Sequence, residues 1–290
     1  LEFRRVLFRS QMYDVIIVGK GPEGISAALY TIRANLNTLI IGHGEGALHK
    51  AAAIDNYYGL SASVNGSTLH QNGIKQVENL GGSIISDEVI DVVYEDYFVV
   101  KTSLASYTAH AVLIATGSPP IQVAIKGLSA FEGRGVSYCA VCDGFFHRGK
   151  PVGVVGYNNY GLHEAEILLP LAKNVNLLTH GNEVAADAHL SEIAERLIVN
   201  KVKIREVYGS DILEGVVLEN GDIIPLSALF IAYGTASGAS FALKLGLEMR
   251  GHAIISDDSM KTNIPGLFAA GDVAGGFKQV SVAVGQGALA

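Results

Sequence analysis

Tyr13-Asp14-Val15-Ile16-Ile17-Val18-Gly19-Lys20-Gly21-Pro22-Glu23-Gly24 runs from a β-branched stretch straight into G-x-G-x-x-G, and an Ala-rich helical pattern from Ile25 to Ala34 follows. Strand, glycine loop and helix in that order are the dinucleotide-binding fingerprint in the context that gives it meaning. Each glycine has its own reason. Gly19 permits the tight turn, Gly21 lets a pyrophosphate approach the backbone, and Gly24 brings helix against strand. The helix N-terminus then turns its partial positive charge toward the phosphates.

The same layout recurs farther along. Pro151-Val152-Gly153-Val154-Val155 leads into Gly156-Tyr157-Asn158-Asn159-Tyr160-Gly161 and a helical stretch Leu162 to Leu171. Gly156 and Gly161 stand where Gly19 and Gly24 stand, but Asn158 replaces the middle glycine, the one that makes room for a pyrophosphate. Two nucleotide units in one chain are the plan of reductases with one site for FAD and one for a nicotinamide. The expected fold is therefore α/β, with two Rossmann-like, three-layer nucleotide-binding domains.

Two further segments support the first unit. Ala111 to Ala115 reads as a buried strand broken by the turn Thr116-Gly117-Ser118-Pro119-Pro120, and Pro265 to Val273 as another strand ending in Gly271-Asp272. An Asp at the carboxyl end of a strand is well placed to accept hydrogen bonds from ribose or ribitol hydroxyls.

The only two cysteines lie in Ser137-Tyr138-Cys139-Ala140-Val141-Cys142-Asp143-Gly144. A single C-x-x-C closes too short a loop to staple a fold, so it reads as a redox dithiol. Asp143 follows the second sulfur and can hold or pass the proton that moves when a disulfide opens. Half of a zinc site is the alternative. Zinc wants about four ligands, no further cysteine exists, and His147 and His163 would complete a site only in an unusual arrangement, so no metal is expected.

With 49% hydrophobic and 17% charged residues the chain is globular, and 290 residues suffice for two domains with separate cores. A net charge of −7 excludes a nucleic-acid groove, which needs clustered Lys and Arg. Apolar runs are of strand length, no signal-like apolar core follows the N-terminal arginines, and no structural disulfide is in prospect. A soluble cytoplasmic protein without a membrane partner is expected. Leu1 to Gln11 fits nothing downstream and is read as a tag, cloning scar or artefact; with Arg4, Arg5 and Arg9 against Glu2 it carries +2, leaving −9 for the rest. Ser281 to Ala290 reads as a helix of small residues that stops without a capping signal, so a truncation is expected there.

Taken in order, Gly19-x-Gly21-x-x-Gly24, Ala115-Thr116-Gly117, Cys139-Ala140-Val141-Cys142-Asp143-Gly144, the second nucleotide unit and Gly271-Asp272-Val273 with Gln279 resemble low-molecular-weight thioredoxin reductases from Tyr13 to Ala290. The resemblance implies an FAD-binding domain from residues 12–117 and 239–290, with an NAD(P)H-like domain, 118–238, inserted into it and carrying the C-x-x-C. The crossings would fall at Gly117-Ser118-Pro119-Pro120 and at Tyr233-Gly234-Thr235-Ala236-Ser237-Gly238, both rich in turn residues that suit hinges. It implies that reduced flavin passes two electrons to a Cys139–Cys142 disulfide, and that the smaller domain then presents the dithiol to thioredoxin. Cys142 would face the flavin, Cys139 would attack the partner disulfide, and Asp143 would serve as acid and base. The implied FAD contacts are Gly19, Gly21, Pro22, Glu23 and Gly24 on the first loop, with Asn56. Ala115, Thr116 and Gly117 form a second group, and Gly271, Asp272, Lys278, Gln279 and Val280 a third. Asp272 would hold the sugar chain and Gln279 the pyrimidine edge. A homodimer is expected on the same ground.

Members that use NADPH carry arginines after the strand that follows the second loop. Here that strand, Asn174 to Leu178, is followed by Thr179-His180-Gly181-Asn182-Glu183-Val184, with no Arg between Lys173 and Arg196. A 2′-phosphate would meet no guanidinium. For NADH, Glu183 is the nearest acid and is displaced beyond the strand end; His180 reads as a solvated turn residue. This pattern, with Tyr57-Tyr58-Gly59 and Ala232-Tyr233-Gly234, resembles the branch independent of pyridine nucleotides, the ferredoxin-dependent flavin thioredoxin reductases. Ferredoxins are acidic, as is this chain, so a local basic patch would be needed, with Lys20, Lys50, Lys244 and Lys278 as candidates. The alternatives are an NADPH- or NADH-driven reductase with an altered pocket and a non-catalytic flavin redox sensor.

Overall fold

The opening stretch folds as its pattern dictates. Tyr13–Val18 forms strand β1 and Pro22–Arg33 forms helix α1, whose first position holds a proline where the missing N–H costs nothing. A computed structural model describes residues 12–117 and 123–290. The segment read as a tag, 1–11, and the expected hinge residues Ser118, Pro119 and Pro120 lie outside the described residues. The chain divides into two compact units, one made from residues up to 117 together with Leu247–Ala290, the other from residues 123–246.

In the first unit, α1 is followed by β2 (Thr38–Ile41), α2 (Gly66–Asn79), β3 (Ser83–Ile85), β4 (Val89–Tyr94), β5 (Phe98–Thr102) and β6 (Ser106–Ile114). β3, β2, β1 and β6 lie side by side and parallel, and Leu267–Ala269, the last strand, pairs parallel with β6. β6 is long because, opposite β1, it serves two further neighbours: its first half pairs antiparallel with β5, its second half, Val112–Ile114, with the last strand. Ile16, Ile17, Ile40, Ile41, Val112 and Ile114 are fully buried, the near-continuous apolar run that a parallel strand covered on both faces requires. Each such side chain contributes about 1.5–3 kcal/mol by leaving water.

The small residues near the C-terminus have a packing reason. They form the last helix, Val280–Leu289, which lies against α1 so closely that a Cβ on Gly287 would stand 2.0 Å from the Glu23 carbonyl oxygen. Ser26 Oγ donates to the Val284 carbonyl at 2.7 Å across the same contact.

The second unit contains β7 (Val136–Ser137), α3 (Ala140–Asp143), β8 (Pro151–Val155), α4 (Asn159–Leu168), β9 (Asn174–Leu178), α5 (Ala188–Ala194) and β10 (Ile198–Asn200). There follow β11 (Ile204–Gly209), β12 (Leu213–Leu218), β13 (Ile223–Pro225), β14 (Ala228–Ile231) and α6 (Gly238–Leu245). β10-β9-β8-β14-β7 is a parallel sheet, and β11-β12-β13 is antiparallel. Successive strand residues face opposite ways. Val154, Leu177 and Phe230 pack with Leu162, Leu168 and Leu190 of the helices, while Val155, Leu178 and Leu229 pack with Leu213, Val216 and Leu218 of the antiparallel sheet. Three layers result, and both units are Rossmann-like α/β.

Two boundaries differ from the sequence reading. α4 begins at Asn159 and ends at Leu168 rather than running from Leu162 to Leu171, because Asn158 caps it early and Pro170 cannot continue it. The second crossing falls after Gly246 rather than at Tyr233–Gly238. α6 belongs with the second unit because Lys244 on it lies 2.5 Å from Glu164 on α4.

Candidate functional site

β1, β6 and the last strand end at one edge of the first sheet, and the loops after them meet there. Gly19 has φ +121°, and a Cβ on it would lie 1.8 Å from the Ala115 carbonyl oxygen; a Cβ on Gly24 would lie 2.0 Å from the Gly19 carbonyl. Neither position admits a side chain. The buried Glu23 carboxyl reaches among Gly21, Gly117 and Gly271, whose Cβ positions would fall 3.0, 3.8 and 2.7 Å from its atoms. These residues therefore form one cradle. The cap of α1 is Gly21, which has no side chain to bond the first turn, so its first-turn N–H groups other than that of Glu23 face a possible anion.

Glu23 is the discordant member, an acid where an anion would rest. Burial pushes its carboxyl up to about 7, its own backbone N–H pulls the other way, and Asp272 adds repulsion. An acid this ready to hold a proton can share the cradle in its neutral form. Asn56 Nδ2 donates to Gln279 Oε1 at 3.0 Å, joining two predicted residues 223 positions apart. Thr116 and Asp272 are half-buried on the same loops, Lys278 is exposed, and Val280 opens the last helix directly after Gln279. A hollow of ≈ 320 Å³ adjoins, lined by residues that include Pro22, Tyr57, His70 and Val280. Backbone-only turns, an uncapped helix start and two side-chain amides fit a dinucleotide with a diphosphate bridge.

In the second unit Cys139 and Cys142 form a disulfide, their Cα atoms 5.3 Å apart. Cys139 is buried and Cys142 exposed. Cys139 caps α3, and its Sγ accepts the Cys142 N–H at 3.1 Å. Ser137 Oγ donates to Asp143 Oδ2 at 2.6 Å and accepts the Cys139 N–H at 3.1 Å, so one hydroxyl fixes both the carboxylate and the sulfur turn. Ala140 N–H donates to Glu164 Oε2 at 3.0 Å. Tyr138, Val141, Phe145 and Phe146, within four residues of Cys142 in the chain, are exposed large apolar side chains of the kind that mark protein contact. Among the described residues no group of three or more His, Cys, Asp or Glu is arranged to hold a metal, and no helix is long and apolar enough to cross a membrane.

The second glycine loop is closed by its own side chains. Asn158 Oδ1 accepts the Gly161 N–H at 3.4 Å, and its Nδ2 donates to the Gly234 carbonyl at 2.6 Å. The helix donor that a phosphate would use is thus taken. Tyr157 and His180 both set ring edges against Tyr233, with centroids 5.3 and 6.0 Å away, and Asn182 Nδ2 donates to the Tyr233 hydroxyl at 2.9 Å. His180 is not the solvated turn residue expected. It is half-buried at φ 52°, its Nδ1 accepts the Ile204 N–H at 3.0 Å, and burial above all lowers its pKa. Glu183, the nearest acid, makes an exposed ion pair with Lys201.

Sequence reasoning missed Ser137, Glu164, Gln286 and His70. Gln286 Oε1 accepts the Gly271 N–H at 2.8 Å; His70 Nε2 lies 2.7 Å from the Lys20 carbonyl, which can only accept, and so ties α2 to the glycine loop. Glu164, Gln286 and His70 each act across 15 or more residues of chain, and no local motif announces such a contact; Ser137 acts over only two and six residues, within the C-x-x-C segment itself. Lys244, a candidate for an exposed basic patch, is instead 5% exposed and paired with Glu164, because α6 turns it inward.

Comparison with known proteins agrees with this geometry. The profile of the family described as pyridine nucleotide-disulphide oxidoreductase matches residues 13–287. A thioredoxin reductase of Treponema pallidum is 36% identical over 295 residues, covering 96% of this chain and 94% of the relative. The crystal structure of the atypical thioredoxin reductase TRi from Desulfovibrio vulgaris Hildenborough superposes with a TM-score of 0.92 at 36% identity, covering 96% of this chain and 95% of that one. A ferredoxin-flavin thioredoxin reductase from Clostridium acetobutylicum gives 0.70 at 28% identity, with 96% and 95% covered.

Proposed function

This chain belongs to the pyridine nucleotide-disulphide oxidoreductase family, among its thioredoxin reductases, and from that premise we propose that it is an FAD-dependent thioredoxin-disulfide reductase driven by ferredoxin or a similar one-electron carrier. Bound at the first glycine loop, FAD would supply two-electron redox chemistry for the Cys139–Cys142 pair. The chain does the rest. Gly19, Gly21 and Gly24 with the α1 N-terminus would receive the diphosphate, Ala115, Thr116 and Gly117 would wall the cradle, and the Glu23 carboxyl, raised to about 7 by burial, would share it. Asp272 accepts from the sugar chain, and Asn56 with Gln279 holds the ring edge. Pro22, Lys278 and Val280 flank these contacts.

Opening the disulfide takes two electrons and two protons and leaves two thiols. The Cys142 N–H aimed at Cys139 Sγ favours negative charge on that sulfur, which makes Cys139 the attacking thiolate and Cys142 the resolving one. Asp143, next to Cys142 in the chain and oriented by Ser137, is assigned the moving proton. Thioredoxin docks on the exposed side chains of Tyr138, Val141, Phe145 and Phe146. A cytoplasmic homodimer completes the reading.

What supports the donor is Asn158, whose side-chain amide occupies the second loop. The lack of arginine from 174 to 195 agrees. With Lys244 withdrawn, Lys20, Lys50 and Lys278 remain to meet an acidic carrier. A nicotinamide donor is the second reading, favoured by the family match extending through the second Rossmann unit. Anaerobic mixing of the oxidised enzyme with NADPH, NADH or photoreduced ferredoxin, followed by flavin absorbance, separates the two. Only ferredoxin should bleach the flavin efficiently, and its rate should fall with added salt. Rapid bleaching by micromolar NADPH would overturn the donor assignment.

A further inference from the structure

Glu164 Oε1 and Lys244 Nζ lie 2.5 Å apart, with side chains 2% and 5% exposed. Taking two charges this far from water carries a desolvation cost that the pair seldom repays by attraction alone, so its presence calls for a further reason. The redox turn provides one. The other carboxylate oxygen of Glu164 accepts the N–H of Ala140, the fully buried residue directly after Cys139. Lys244 follows Leu243, whose carbonyl oxygen lies 3.8 Å from Cys142 Sγ. The pair thus reaches the backbone beside one sulfur from α4 and the surroundings of the other from α6.

We propose that Glu164 and Lys244 are positioning residues for the Cys139–Cys142 couple: Glu164 clamps the sulfur turn through the Ala140 amide, and Lys244 offsets the carboxylate's charge beside sulfurs that become negative as the disulfide opens. The inference rests on the reading of this cysteine pair as the redox centre. When dithiothreitol opens the pair, the protein disulfide gains two electrons and two protons and the reagent closes to its own disulfide. The thiolate share of the opened pair then follows the net charge buried beside it. Intact, the ion pair contributes none. Lys244→Met leaves the carboxylate and disfavours thiolate; Glu164→Gln leaves the ammonium and favours it. The double variant returns to zero and keeps an amide oxygen for the Ala140 N–H. Asp143, next to Cys142 on α3, His147, at the end of the following turn, and Tyr138, directly before Cys139 and donating to Glu132, are further titratable groups beside the cysteines in the chain and are present in every variant.

The test measures iodoacetamide alkylation of the reduced full-length protein as a function of pH, with mass spectrometry reporting each cysteine. At pH 7 the rate should fall about tenfold in Lys244→Met, rise severalfold in Glu164→Gln, and return to within about twofold of wild type in the double variant. Shifts of the same sign in both single variants, or none in either, would overturn the proposal. Where a single variant does not fold, Glu164→Asp carries the test, since it keeps the charge and withdraws the carboxylate by one methylene. Hydrogen exchange at the Ala140 amide should then quicken about tenfold, and unchanged exchange there overturns the clamp. Alkylation requires neither thioredoxin nor an electron donor. Absent shifts in an enzyme that turns over reject this inference alone, whereas a wild type that never reduces thioredoxin rejects the functional reading instead.

Discussion

The two glycine loops of this chain begin from nearly the same sequence pattern and end in opposite states. At the first, the cap of α1 is Gly21, which offers no side chain, and the one side chain on the first-turn N–H groups is the Glu23 carboxyl on its own N–H. At the second, α4 starts on Asn158, which accepts the Gly161 N–H and reaches across to the Gly234 carbonyl. The residue at the cap differs, glycine at one and asparagine at the other. A fingerprint therefore reports a fold more securely than a ligand: both loops sit between strand and helix, yet only one has a side chain at its cap position.

The most severe way to break this comparison is to treat the closed unit as inert. Cys139→Ser or Cys142→Ser should then be harmless. We expect each to abolish thioredoxin reduction while flavin content stays unchanged, because exchange needs one sulfur to attack and the other to resolve. Asp143→Asn should slow turnover about 10²-fold or more. Turnover surviving in either serine variant would remove the dithiol from the mechanism.

Paired glycine substitutions come next. Gly19→Ala drives a Cβ to 1.8 Å from the Ala115 carbonyl at a backbone angle that disfavours side chains, and FAD retention should fall about 100-fold or more. Gly156→Ala meets the Ala232 carbonyl and Gly161 Cα at 2.7 Å each. It should cost about 1–3 kcal/mol of stability, read from urea melts, with FAD content intact. Equal flavin loss in both variants would mean that the loops are not distinct in function.

The fold was legible because its signals are local. β1, the glycine turn and α1 occupy consecutive residues, and a proline or an asparagine marks where helices start. The Gly19 and Gly24 turns and the C-x-x-C carried their own spacing. What sequence hid depends on chain that returns from afar: Glu164 under Ala140, Lys244 turned inward from α6, Gln286 bonding Gly271. Charge alone made Lys244 look like surface, since nothing in its neighbours reveals the carboxylate that awaits it. Glu23 was legible as a position and illegible as a titrating group, because only burial raises its pKa.

That burial supplies the third prediction. Between the usual 4.5 and about 7 the folded protein holds a proton on Glu23 that the unfolded chain has released. Stability of the flavin-free protein should therefore fall as pH rises through that window, by up to about 1.4 kcal/mol per unit, and level off above about 7. FAD should also bind more weakly above pH 7, where a carboxylate confronts the diphosphate. Glu23→Gln should flatten both profiles, in urea melts and in quenching of flavin fluorescence respectively. A wild-type profile already flat across pH 5–8 would exclude Glu23 as the linked group.

The smallest expected effect belongs to Asn158, and it tests the comparison at its source. Asn158→Ala removes the cap of α4 and the bond to Gly234 together, which should lower stability by about 1–2 kcal/mol, a loss of a few degrees in melting temperature. Asn158→Gly restores the middle glycine of the motif and should cost less, since glycine is a tolerable cap. It should also free the Gly161 N–H for a phosphate. NADPH binding, followed by calorimetry, should then rise by no more than about tenfold, because no arginine follows β9 to receive the 2′-phosphate. Tight NADPH binding in Asn158→Gly would show that this one amide was the whole barrier. An Asn158→Ala protein as stable as wild type would show that the second loop is not held shut by its cap, and the contrast between the two loops would have to be sought in the Tyr157, His180 and Tyr233 cluster instead.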